Sequence, residues 1–210
     1  MSERKYRRVM LGRFRRQPRA FPWRQTTDPY AVLIGEVLLQ RTRGEHVVEV
    51  YRDFLDRWPD PGGLARARVS SISSVIRPLG LAKRAPMLKR LGKALVEYGG
   101  EVPVDPADLA RLPGVGPYAA HSVPVFVLGR SLPVVDWVIA RVLRRYFGLP
   151  EGKRPNADPA LWQLAARLAK PGKARELWLG TLDFASSICK PRPLCPTCPL
   201  NADCAYYQGA

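Results

Sequence analysis

The sequence predicts an all-α protein. Apolar residues recur at helical spacing along most of the chain, no strand-like alternation of useful length appears, and no long internal repeat is present. Prolines sit where a first helical turn tolerates them, as at Pro29, Pro106 and Pro117.

In chain order, the first 24 residues hold nine basic groups and one acid, Glu3. They read as a solvated basic tail, as an amphipathic helix with Val9, Met10 and Phe14 on one side, or as a helix lying along phosphates. From Asp28 to Arg41, Val32, Leu33, Val37 and Leu38 keep helical spacing behind Pro29. Val47, Val50, Tyr51 and Leu55 repeat the pattern between His46 and Trp58. Leu88, Leu91 and Leu95 do so between Arg84 and Tyr98, where Gly99-Gly100 ends the helix. Leu161 to Ala169 and Arg175 to Ser187 are further helices.

The segment from Asp105 to Leu128 is more specific. Asp105 is a good N-cap and Pro106 a good first helical residue. Leu112-Pro113-Gly114-Val115-Gly116 then stops that helix and makes a tight turn, and Pro117 opens the next, through Ala119, Ala120, Val123 and Val127. The expected product is a helix–hairpin–helix whose turn amides and helix N-terminus can meet a phosphate. His121 shares a helix face with Tyr118 and reads as a satisfied structural histidine. About twenty residues on, Asp136 starts another helix through Arg145, as an N-cap or as a carboxylate able to stabilise a cationic transition state.

All four cysteines, Cys189, Cys195, Cys198 and Cys204, fall at the C-terminal end. Clustered thiols in an intracellular chain more often bind metal than form disulfides. Four thiolates hold either a tetrahedral zinc or a four-iron cluster; a single close pair with an outlier on each side favours the cluster, with zinc as the alternative.

Charge and composition bound the partners. The chain has 34 Lys+Arg against 18 Asp+Glu, a net +16, and half of that excess lies in residues 1–24. A polyanion is implied, and nucleic acid is the first candidate. No apolar run approaches the roughly 20 residues of a membrane span. No apolar segment follows the N-terminal charges, so no signal peptide is expected. The expectation is a soluble, cytoplasmic, nucleoid-associated monomer.

The hairpin, the aspartate and the four-cysteine pattern together resemble the iron–sulfur helix–hairpin–helix DNA glycosylases. That superfamily includes endonuclease III, the MutY-type adenine glycosylases and the Mig-type thymine/uracil mismatch glycosylases. Phe21-Pro-Trp-Arg24, Asp28-Pro-Tyr30, Glu36-Val-Leu-Leu39, Tyr98-Gly-Gly100 and Leu182-Asp-Phe-Ala185 resemble the Mig and MutY branches, and the chain ends just after the cysteines, as in the Mig branch. The resemblance implies two lobes: a six-helix barrel over residues 27–133 with the hairpin at 105–128, and a lobe of residues 1–26 and 134–210 holding a [4Fe-4S] cluster on the 189–204 loop.

It also implies roles. Asp136 would stabilise an oxocarbenium-like sugar and guide water; Tyr118, where endonuclease III-like enzymes have a Schiff-base lysine, would line the pocket of a monofunctional enzyme. Glu36, among apolar Ile34, Val37 and Leu38, would contact or protonate the leaving base. Gln40 and Arg41 would fill the space vacated by a flipped base, and Leu81 would wedge from the other side. Lys83, Arg84, Leu112, Gly114, Val115 and Gly116 complete the implied DNA contacts. The expected substrate is double-stranded DNA with thymine or uracil opposite guanine. The alternatives are adenine opposite guanine or 8-oxoguanine, a modified cytosine, or a DNA-binding protein without turnover. Three departures from the family pattern bear on base choice and cluster: Trp137-Val138 after the aspartate, Gln40, and a first cysteine gap of five residues instead of six.

Overall fold

The computed structural model describes residues 1–40 and 42–209. Among them there are twelve α-helices and no β-strand. No helix is long and apolar enough to cross a membrane. The chain divides into two compact units, one of Ala20–Leu128 and one of Met1–Arg19 with Gly129–Ala210.

The unit of residues 20–128 holds α2 (Pro29–Leu38), α3 (Gly44–Arg57), α4 (Pro61–Arg66), α5 (Val69–Ile76), α6 (Ala85–Glu97), α7 (Pro106–Leu109) and α8 (Pro117–Leu128). Asp28 caps α2 by accepting from the Tyr30 amide at 3.0 Å. Except for its first residue, Pro29, α2 is buried throughout, so it is the unit's central helix, packed on α3 and α8. The Tyr30 hydroxyl donates to the Trp58 carbonyl, and burial raises its pKa above the usual phenol range. Phe21 stacks on Trp23, which meets Tyr51 edge-on, so the Phe21-Pro-Trp-Arg24 motif packs in this unit.

Two helices of this unit are absent from the sequence reading. α4 and α5 have six and eight residues, too short for a 3.6-residue period to stand out. Asp60-Pro61 does carry a start signal, since Asp60 accepts from the Gly63 amide at 2.7 Å. The helix expected over 28–41 stops at Leu38, with Leu39 as its C-cap and polar Gln40 following.

The other unit is built from α1 (Glu3–Arg16), α9 (Trp137–Phe147), α10 (Pro159–Leu168), α11 (Ala174–Ser187) and α12 (Ala205–Gln208). α1 lies against α11 and buries Tyr6 and Met10. The two backbones touch at Gly180, where a Cβ would fall inside the van der Waals envelope of the Met10 carbonyl oxygen. Asp183, fully buried in α11, accepts from the Arg19 amide at 3.3 Å. The buried Arg144–Asp158 pair at 2.8 Å fastens α9 to the start of α10. Its Arg144 guanidinium holds the Asp158 carboxyl below the usual carboxylate range.

Candidate functional site

The hairpin forms at the residues the sequence marks. α7 ends at Leu109, one turn earlier than the break expected at Leu112-Pro113, and turn bonds from Leu112 to Leu109 and from Val115 to Leu112 continue the chain. Leu112 and Val115 are 4% and 7% exposed, so their side chains anchor the turn inward. What the turn presents is backbone around exposed Gly114, at φ +81°. A side chain at 114 would run into Met87 Sδ and lie 2.7 Å from its Cε. Gln40 binds this turn, donating from Nε2 to the Gly114 carbonyl at 3.0 Å and accepting from Arg84 Nη1 at 2.9 Å. Three residues expected at DNA, Gln40, Arg84 and Gly114, thus form one hydrogen-bonded chain.

Other residues take varied places. Lys83 is exposed beside Arg84. Leu81 is only 9% exposed, so wedging between bases would require it to swing out. Arg41 lies outside the described residues. Tyr118 is the second residue of α8 and half-buried, and Glu36 is 4% exposed within α2. The Pro117 carbonyl can only accept, so His121 Nδ1–H donates to it at 2.9 Å, as a structural histidine would.

Asp136 ends an extended segment whose Val134 and Val135 are 0% and 2% exposed. It caps α9, its Oδ1 accepting from the Ile139 amide at 2.6 Å. Burial pushes its carboxyl above the ordinary range, against the pull of the Ile139 and Val138 amides and of Arg141. The half-buried carboxylate is therefore held in one orientation and partly desolvated, which strengthens its field on any positive charge beside it.

All four cysteines are unpaired, half-buried and line one small pocket with Val142, Arg145, Leu200 and Tyr206. Arg145 donates to Cys189 Sγ at 3.7 Å and to the carbonyls of Lys190 and Pro191, and it lies over the Tyr206 ring. Arg141 donates to the Cys189 carbonyl at 3.0 Å. Burial raises the Cys189 thiol, while Arg145 pulls it down.

A family model described as HhH-GPD superfamily base excision DNA repair protein matches residues 34–167, which span the hairpin, Tyr118 and Asp136. The chain belongs to this superfamily. It is a base excision repair DNA glycosylase, a DNA-binding hydrolase of N-glycosyl bonds. A thymine-DNA glycosylase of Aeropyrum pernix is 43% identical over 194 residues, covering 90% of this chain and 87% of that protein. A thymine/uracil-DNA glycosylase of Pyrobaculum aerophilum is likewise 43% identical, over 89% and 84%. The solved structure of a thermostable thymine-DNA glycosylase superposes with a TM-score of 0.92 at 36% identity, over 99% of this chain and 97% of that one.

In this glycosylase the four thiols form an all-sulfur donor set, which suits iron–sulfur or zinc. Among the described residues, no three His, Cys, Asp or Glu close around a point that could hold one ion. The sequence reading missed Arg141 and Arg145, which hold the cysteine loop. Their four-residue spacing on one helix ahead of a basic segment was the available signal.

Proposed function

We propose that this glycosylase is monofunctional and releases a mispaired thymine or uracil opposite guanine. The observation that carries the chemistry is Asp136: an N-cap carboxylate oriented by the Ile139 amide and pushed up by burial. The base preference is supported by the thymine- and uracil-directed relatives at 43% identity.

The target nucleotide is taken out of the stack, at least cost when it is mispaired. As the bond from the base nitrogen to C1′ breaks, its electron pair leaves with the base and positive charge builds on the deoxyribose. Ionised Asp136 stabilises that charge and accepts a proton from the attacking water, whose oxygen bonds to C1′. Glu36 is the proposed proton source for the leaving base. The products are free base and an abasic sugar. Tyr118 bears a phenol, which cannot form an imine with that sugar, so the strand is left intact.

Cys189, Cys195, Cys198 and Cys204 would hold a [4Fe-4S] cluster. Each thiolate of such a cluster ligates its own iron, which suits four sulfurs around one pocket better than the tight tetrahedron of a zinc ion. When bound, the cluster supplies a rigid cross-link for the C-terminal loop. Iron content and absorption near 400 nm in the purified protein test this, and stoichiometric zinc without iron overturns it.

The activity test is a panel of duplexes carrying T·G, U·G, A·G, A·8-oxoguanine and methylated-cytosine pairs, with free base detected directly. Thymine and uracil release supports the proposal; release of adenine alone overturns it. Borohydride trapping of a covalent enzyme–DNA adduct would contradict the monofunctional assignment.

A further inference from the structure

Five tryptophans occur in the chain, and four are tucked in. Trp23, Trp58 and Trp178 are at most 8% exposed, and half-buried Trp162 donates its N–H to the Pro155 carbonyl. Trp137 is 66% exposed, and among the described residues its indole N–H has no acceptor and its ring no aromatic partner. It is the first residue of α9, directly after Asp136. The backbone that carries it is rigid, with Val135 2% exposed, Ile139 fully buried and Asp136 bonded to the Ile139 amide. A large apolar ring kept in water on a fixed mount, beside a half-buried carboxylate, makes no contribution to the core.

Resting on the reading of Asp136 as the carboxylate that faces the target sugar, we propose that Trp137 is a stacking platform for a nucleobase of the lesion-bearing strand. Adjacent residues have Cα atoms about 3.8 Å apart, so the indole and the carboxylate are mounted on neighbouring backbone positions at one helix start. A base that has lost its neighbour in the duplex offers a π face, and indole is a large, low-entropy surface on which to receive it. The base is either the extruded one or the neighbour that extrusion unstacks. Trp137 is then a residue that determines which nucleotides are held productively.

The test compares wild type, Trp137→Ala and Trp137→Phe by fluorescence anisotropy. One duplex carries a non-cleavable 2′-fluoro thymidine analogue opposite guanine; the other carries a tetrahydrofuran abasic analogue at the same position. Loss of one stacked base weakens binding about 5- to 100-fold in Trp137→Ala, while Trp137→Phe keeps most of the affinity and both variants melt like wild type. Weakening on the base-bearing duplex alone assigns the extruded base; equal weakening on both assigns the neighbour. Unchanged binding by Trp137→Ala, equal losses in the Ala and Phe variants, or a change only in self-association would overturn the proposal. Absence of base release by wild type would instead defeat the functional reading, since stacking is read from binding.

Discussion

Replacing Gly114 by alanine tests how the hairpin is held. Its backbone sits at φ +81°, where an L side chain costs about 1–2 kcal/mol. The new methyl would also overlap Met87 Sδ. Met87 is half-buried and flexible, so it can move, at about 0.5–1.5 kcal/mol for an off-rotamer arrangement. Stiffening of the unfolded chain returns about 0.4–1 kcal/mol. The expected net loss is about 1–2 kcal/mol of unfolding free energy. The turn also supplies the acceptor for Gln40, a bond worth about 1 kcal/mol. Duplex affinity is therefore expected to fall roughly fivefold if turn amides hold phosphate. Urea unfolding and anisotropy on a mismatched duplex measure both. Repeating the substitution in a Met87→Ala background separates strain from clash, because only the clash is relieved there. If Gly114→Ala melts and binds within error of wild type, the turn does not require glycine and the argument fails.

Asp136→Asn keeps the N-cap acceptor but removes the charge, so base release should be lost and duplex binding retained. The folded-state pKa of this carboxyl is raised, so its contribution to stability is present below its ordinary range and lost as pH rises through the raised value. The variant should therefore be more stable than wild type at neutral pH, with no advantage below about pH 4, as thermal melts across pH would show. Base release by wild type should switch on at a pH above the ordinary carboxylate range, measured as single-turnover rates. Asp158→Ala strands a buried guanidinium and should cost about 3–5 kcal/mol in chemical denaturation. The depressed Asp158 pKa means that the wild-type contribution is present at neutral pH and lost as pH falls through the folded value. Arg4 and Arg8 are exposed, one helical turn apart and, among the described residues, without an ion-pair partner. The double Gln variant should reduce the slope of log affinity against log salt by about two while leaving base preference unchanged.

The N-terminal arm shows where sequence reading runs out. Nine bases in 24 residues looked like one block. In the fold, Lys5 pairs with Asp203 at 2.6 Å, Arg7 donates to the Leu168 carbonyl, Arg13 to Gln17, and Arg15 lies 3.7 Å from Glu176. Lys5, Arg7 and Arg15 thus tie α1 to other segments of its own unit, while Arg13 binds the C-cap of α1 itself. The hairpin was legible because Pro, Gly and an N-cap Asp specify backbone geometry locally. Asp136 was legible for the same reason, as the start of a helix after an apolar run. The grouping of the four cysteines was legible because their spacing is written along the chain.

The sequence by itself determined the helical class, the hairpin, the N-cap position of Asp136 and the gathering of thiols, since each depends on residues a few positions apart. Only the tertiary structure decided that Gln40 joins Arg84 to Gly114 across 44 and 74 residues, and that Arg145 reaches across to Cys189. Only packing decided that Leu81 is covered while Trp137 stands in water. Burial and pairing between distant segments are settled by which surfaces exclude water together. No local pattern encodes that choice, and it is what raises the Asp136 carboxyl.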